Sequence, residues 1–197
     1  AQMGGLAEAQ MAAAIEAIAR RDSAAAETAV GGDARIDAIQ QEIEDRALKL
    51  LALRQPMAVD LRETLAAIKT AAELERIGDL AKNIAKRALV LNREPPIRLT
   101  QSLARMGRVA LSQLKQVLDA FSNRNAEEAE RVWNQDGEID EIYNSLFREL
   151  LTYMMEDPRT IGLCTHLLFI AKNIERIGDH ATNIAEVVYH MVRADHL

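Results

Sequence analysis

Apolar residues recur at steps of three and four along most of the chain. Leu74, Ile77, Ala81, Ile84, Ala88 and Leu91 form one such series, and Ile174, Ile177, Ala181, Ile184, Val188 and Met191 form another. That spacing puts each set on one face of an α-helix, as a bundle helix requires. Upstream of each lies a weaker stripe: Ile36, Ile39, Ile43 and Leu50 in the first half, Ile139, Ile142, Leu146 and Tyr153 in the second. Asp22 and Asn125 suit the N-cap between the first and second helices of each half. Pro56 ends the second helix of the first half, and Asp157-Pro158 supplies a cap followed by proline in the second. The linker is Asn92-Arg93-Glu94-Pro95-Pro96, after which Thr100 is placed to cap the next helix. The pattern predicts an all-α protein of six helices in two tandem, pseudo-symmetric three-helix bundles, residues 1–93 and 94–197. Helices above about 30 residues, or about 45 Å, would make the molecule elongated.

The two halves repeat one another in detail. Glu75-Arg76-Ile77-Gly78-Asp79 returns as Glu175-Arg176-Ile177-Gly178-Asp179, 100 positions later. At an offset of 103, Gly4 matches Gly107, Asp22 matches Asn125, Asp33 matches Asp136 and Asp37 matches Asp140. Glycine inside a helix costs about 1 kcal/mol relative to alanine. A cost paid at the same place in both copies therefore points to a role beyond helix formation: room for a close helix, or for a metal cluster.

Composition narrows the chemistry. The chain is 49% hydrophobic but only 4% aromatic, so its core is aliphatic. A net charge of −6 argues against general binding of nucleic acid or anionic membrane and leaves room for cations. The single Cys164 excludes an intrachain disulfide and a thiolate-rich metal site, which fits a reducing cytoplasm. No apolar run reaches the ~18–20 residues of a membrane span, and Ala1-Gln2-Met3-Gly4-Gly5 has no signal-peptide character.

The acidic residues supply the candidate site. Glu75 and Asp79 share a face of the third helix, roughly 100–140° from its apolar seam. Asp33 and Asp37 share a face of the second. If those helices run antiparallel about Pro56, Asp33 and Asp79 lie 23 residues either side of it, and Asp37 and Glu75 lie 19 either side. About Pro158, Asp136 and Asp179 are 22 and 21 residues away, and Asp140 and Glu175 are 18 and 17 away. Each half can thus bring four carboxylates to matching heights. Such a group repels itself unless a cation compensates, and its oxygen ligands suit Mg, Mn, Ca or Fe, with Zn also open. Asn83 and Asn183, one turn further on, are candidate outer ligands or hydrogen-bonding supports. Arg76 and Arg176 offer neutralisation without any ion. His180 points about 100° away from Asp179. His166, His190 and His196 lack spacing partners and read as surface or packing residues, and Trp133 and Met154-Met155 read as bundle packing.

At these residues the sequence resembles the PhoU family, accessory regulators of bacterial phosphate uptake. Besides the acidic motifs, Arg54-Gln55-Pro56-Met57-Ala58-Val59-Asp60-Leu61-Arg62 and Met154-Met155-Glu156-Asp157-Pro158-Arg159-Thr160-Ile161 carry the likeness, which covers essentially the whole chain. The resemblance implies multinuclear iron or zinc clusters, or magnesium or manganese, at the eight acidic positions. It implies a cytoplasmic, often dimeric adaptor without catalytic turnover that engages a sensor histidine kinase and the ATPase subunit of the phosphate ABC transporter, acting as a negative regulator. Membrane association would be peripheral at most, through those partners.

The residues agree on the non-catalytic side. The chain has no Gly-rich phosphate cradle, Cys–His or Ser–His arrangement, or nucleotide fingerprint. Two rivals remain. A carboxylate-bridged di-metal oxidase would carry Glu-x-x-His motifs pointing into the core, and neither block has His at the fourth position. A metal-free helical scaffold is distinguished by elemental analysis.

Overall fold

The structure is a computed structural model that describes residues 1–54 and 58–194, without the side chains of Arg54, Ala58 and Asp136. Gln55, Pro56, Met57 and His196, named above, lie outside the described residues. Every regular element among the described residues is helical: α1 (Gln2–Ala19), α2 (Ser23–Gly31), α3 (Asp33–Arg54), α4 (Ala58–Leu91), α5 (Leu99–Asn123), α6 (Ala126–Asn134), α7 (Asp136–Glu156) and α8 (Ile161–Arg193), with a 3-10 turn at Pro158–Thr160. The six expected helices are present. The second helix of each half carries a short leading segment, split off at Gly32 and at Gln135.

Local chemistry sets the breaks. The Asp22 side chain accepts hydrogen bonds from Ala24 N and Ala25 N, and that of Asn125 accepts one from Glu128 N. Both satisfy amides that a helix start leaves unpaired. Asp22→Ala should therefore cost about 1 kcal/mol, read from the midpoint of urea unfolding. Just before these caps, Arg21 and Arg124 both take a left-handed backbone, with φ of 55° and 51°. Arg21 uses that turn to reach the carbonyl oxygens of Asn92 and Glu94, tying the end of α1 to the linker after α4.

Two expectations change at helix starts. Thr100 does not cap α5: the backbone is already helical at Arg98, and the Thr100 hydroxyl donates back to the Ile97 carbonyl at 2.7 Å. Asp157 does act as a cap, but of the 3-10 turn, accepting from Arg159 N before α8 begins.

The apolar seams of α4 and α8 are buried throughout, from Leu74 to Leu91 and from Ile174 to Met191. On α3 and α7, burial holds at Ile36, Ala47, Ile139, Leu146 and Leu150, and the ends of the two stripes come to the surface. Leu50 and Tyr153 are each 37% exposed, against expectation. The reason is length: α1 has 18 residues and α4 has 34, so at about 1.5 Å per residue the hairpin runs well past the helix that would cover it. Met155 and Trp133 are also exposed, and only Met154 packs on the core.

One apolar core threads both halves. Its two crossings follow the sequence repeat. Gly4 on α1 lies against Leu118 on α5, and Gly107 on α5 lies against Ile15 on α1. Gly107 and Leu118 are the 103-shifted equivalents of Gly4 and Ile15, so α1 and α5 meet antiparallel about a pseudo-twofold axis. Helices α4 and α8 do the same, since Glu73 meets His180 and Arg87 meets His166. Counting inward from these contacts brings residues 76 and 77 opposite 177 and 176. The duplicated Glu-Arg-Ile-Gly-Asp blocks therefore sit at the centre of the molecule, where the longest helices cross.

Candidate functional site

Gly78 and Gly178 explain how the acidic pairs are brought together. A methyl group on Gly78 would stand 3.1 Å from Ile36 Cδ1 and 3.0 Å from Gln10 Oε1. One on Gly178 would stand 2.7 Å from Ile139 Cδ1. A side chain at Gly178 would force Ile139 to shift and one at Gly78 would press on Ile36 and Gln10, so both glycines stand where a facing helix comes close. Ile36 lies between Asp33 and Asp37, and Ile139 between Asp136 and Asp140. Seating either isoleucine against a glycine brings the flanking pair of acids beside the Glu and Asp of the facing helix.

In the first half the four carboxylates converge. Lys82 Nζ forms ion pairs with Asp33 Oδ2 and with Asp79 Oδ1, the latter at 2.9 Å. Asp33 stands in the first turn of α3, where the helix dipole favours negative charge. Burial, followed by the charges of Asp33 and Asp79, pushes the Asp37 carboxyl above its ordinary range, with Lys82 opposing. Glu75 is raised by burial and then by Asp79, with Asp37 and Asp33 adding to it and Arg76 opposing. Hydrogen bonds to Asp33 and Asp79 hold the Lys82 ammonium well above the usual lysine range. One ammonium thus pairs with two of the four mutually repelling acids and acts on a third, Asp37, while Arg76 opposes the charge at Glu75.

The second half is built differently. Thr182 replaces Lys82, and Lys172 stands where the first half has Ala72. Lys172 Nζ lies 2.6 Å from Glu175 Oε2 and 5.3 Å from the centre of the Tyr143 ring. The Glu175 hydrogen bond raises the Lys172 ammonium, and the Asp179 charge acts in the same direction. The Ile139–Gly178 contact places Asp140 on the stretch of α7 beside this group. The side chain of Asp136 lies outside the described residues.

Asn183 does not join its acidic group. Its amide donates to Glu73 Oε2 at 3.1 Å, and the same oxygen lies 2.6 Å from His180 Nδ1. These bonds tie α8 to α4. Burial alone would raise the Glu73 carboxyl, but the two hydrogen bonds outweigh it and the net shift is downward. Position 83 has no such contact with its mate, because the equivalent of Glu73 is Asn173 and that of His180 is Leu80. Arg76 Nε reaches Glu75 only at 3.6 Å, from a largely exposed side chain.

The donor set fits a hard cation. It is rich in carboxylate oxygen, two of its acids have raised pKa values, and a lysine ammonium already stands between two of them. As folded here, no three such donors among the described residues share a metal-holding position. An ion entering the first group would have to displace Lys82. Sequence reasoning passed over Lys82, Lys172 and Glu73. The two lysines were legible as cations three residues after Asp79 and three before Glu175, a spacing that shares a helix face.

Comparison with known proteins bears on all of this. A family model described as the PhoU domain matches residues 1–88 and again 103–188. The phosphate-specific transport system accessory protein PhoU homolog of Caulobacter vibrioides is 57% identical over 197 residues, all of this chain and 86% of that protein. Its namesake in Rhizobium meliloti is 52% identical over 96% of this chain and 81% of its own length. Among solved structures, PhoU from Pseudomonas aeruginosa superposes with a TM-score of 0.96 at 38% identity, covering 98% of this chain and 93% of that one. The phosphate transport system regulatory protein PhoU from Streptococcus pneumoniae gives 0.90 at 30% identity, covering 100% and 92%.

Proposed function

From the premise that this chain belongs to the PhoU family, we propose that it is a metal-binding, non-catalytic negative regulator of phosphate uptake. Its relatives are accessory proteins of phosphate-specific transport systems, and a role in regulating that transport follows from membership. The finer reading is that the chain links the ATPase subunit of the phosphate transporter to the sensor histidine kinase of the phosphate regulon, in the cytoplasm, as a homodimer. No described helix is long and apolar enough to cross a membrane.

The observation that supports the metal reading is the mutual repulsion of Asp33, Asp37, Glu75 and Asp79, two of which already hold one ammonium between them. Asp136, Asp140, Glu175 and Asp179 form the corresponding set in the second half. Iron, zinc, magnesium or manganese bound there would supply positive charge on an acidic face. That charge would serve as a bridge to an acidic or phosphorylated group on a partner. The carboxylates would hold the ions, and Gly78 and Gly178 would keep the contributing helices close enough to share them.

The test is retention of the transporter ATPase and the sensor kinase on the tagged full chain, at high and low phosphate. Both should be retained, more strongly at high phosphate, and less by the Asp79→Ala/Asp179→Ala variant. Retention of neither partner at either phosphate level would overturn the adaptor reading.

A further inference from the structure

We propose that the groove between the N-terminal half of α4 and the C-terminal half of α8 is a binding site for a phosphate-type oxyanion. It is separate from the carboxylate groups and does not depend on any metal. Arg62 and Lys69 from α4 and His190 from α8 line it, over an apolar floor that includes Leu65 and Met191, with Glu186 as the one acid among the described lining residues. Its volume of about 180 Å³ falls below the ~300–1,000 Å³ of pockets for drug-sized ligands and suits a small ion.

Three observations point to an anion. First, Arg62 Nε is buried and has no hydrogen-bond acceptor, a state that native proteins seldom leave uncompensated. Second, neither Arg62 nor Lys69 takes part in an ion pair among the described residues. Among the described residues, two cations therefore share a concave site with a single carboxylate. A guanidinium fork beside an ammonium matches tetrahedral oxyanions, the first by geometry and the second as a point charge.

The third observation comes from the pseudo-twofold axis. At the other end of the α4–α8 crossing, the equivalents of Ala66 and Lys69 are His166 and Phe169. There the protein uses its own cation: the Arg87 guanidinium lies 4.1 Å over the Phe169 ring and 3.2 Å from His166 Nδ1. The equivalent of Arg87 at the Arg62 end is Val187. An aliphatic side chain there supplies no counterpart of the Arg87 contact to the two cations of α4, which have no ion-pair partner among the described residues.

The ion could be free inorganic phosphate or the headgroup of an anionic phospholipid, and the experiment separates the two. Chelator-treated full chain is titrated with inorganic phosphate by calorimetry. In parallel it is sedimented with phosphatidylglycerol–phosphatidylcholine vesicles. Saturable binding to one of these probes is expected. Arg62→Gln, or Lys69→Gln should the first variant fail to fold, should weaken it at least tenfold, whereas Glu186→Gln should strengthen it several-fold. Binding to neither probe, or binding that these variants leave unchanged, overturns the assignment. Because metal is stripped throughout, failure of the metal reading does not alter the outcome.

Discussion

Gly178→Leu is expected to lower the stability of the chain by about 2 kcal/mol, measured as the shift in urea unfolding. Even a single methyl there would come 2.7 Å from Ile139 Cδ1, and Ile139 is itself 2% exposed. Overpacking a tight core costs roughly 1–3 kcal/mol, and leucine adds three more carbons than the methyl. The helix propensity gained by losing glycine returns only about 1 kcal/mol. The same change should part α7 from α8 and reduce metal uptake by the second half. Gly162 provides the control on the same helix. Nothing lies within 4 Å of a methyl added there, so Gly162→Ala should stabilise by up to about 1 kcal/mol. Equal effects at the two positions would show that close approach at Gly178 is not what shapes the site.

Lys82→Thr gives the first half the residue that the second half carries at 182. Removing one partner of a part-buried charge network should destabilise the metal-free chain by about 1–3 kcal/mol at neutral pH. The sign of its pH dependence follows from Asp37 and Glu75, whose carboxyls titrate above their ordinary range. A raised carboxylate pKa means that the protonated form favours folding. The stability these two acids contribute is present below the ordinary carboxylate range and is lost as pH rises through their raised values. The deficit of Lys82→Thr should therefore shrink in acid and widen as both acids ionise. Added divalent metal should restore more stability to this variant than to the parent chain, because the ion no longer competes with the ammonium. Thermal unfolding across pH, with and without manganese, reads all three effects. A deficit that grows toward acid would contradict the assignment of Lys82 as counter-ion.

Much of this was legible before any coordinates, for physical reasons. Apolar residues spaced by three and four on α4 and α8 have one stable use, burial against neighbouring helices, and each named position is buried. Level-matching about a turn placed Asp33 opposite Asp79, where Lys82 now bridges them. What periodicity does not encode is how far a neighbour extends. Leu50 and Tyr153 continue an apolar stripe past the end of the helix that would cover them. Nor does it show which way a short polar side chain turns, so Thr100 was expected to cap and instead bonds backward to Ile97. Asn183 looked like support for its own acidic group, but the partner it found, Glu73, comes from the other half. Such contacts depend on where the halves cross, and the repeat alone does not state that.

Metal content per chain, measured on purified protein by elemental analysis, tests the central proposal most directly. The parent chain should carry at least one ion in each half, and Asp79→Ala/Asp179→Ala should lose them while its helicity stays near that of the parent. Equal metal content in the two proteins, or none in the parent after growth and purification without chelator, would contradict it.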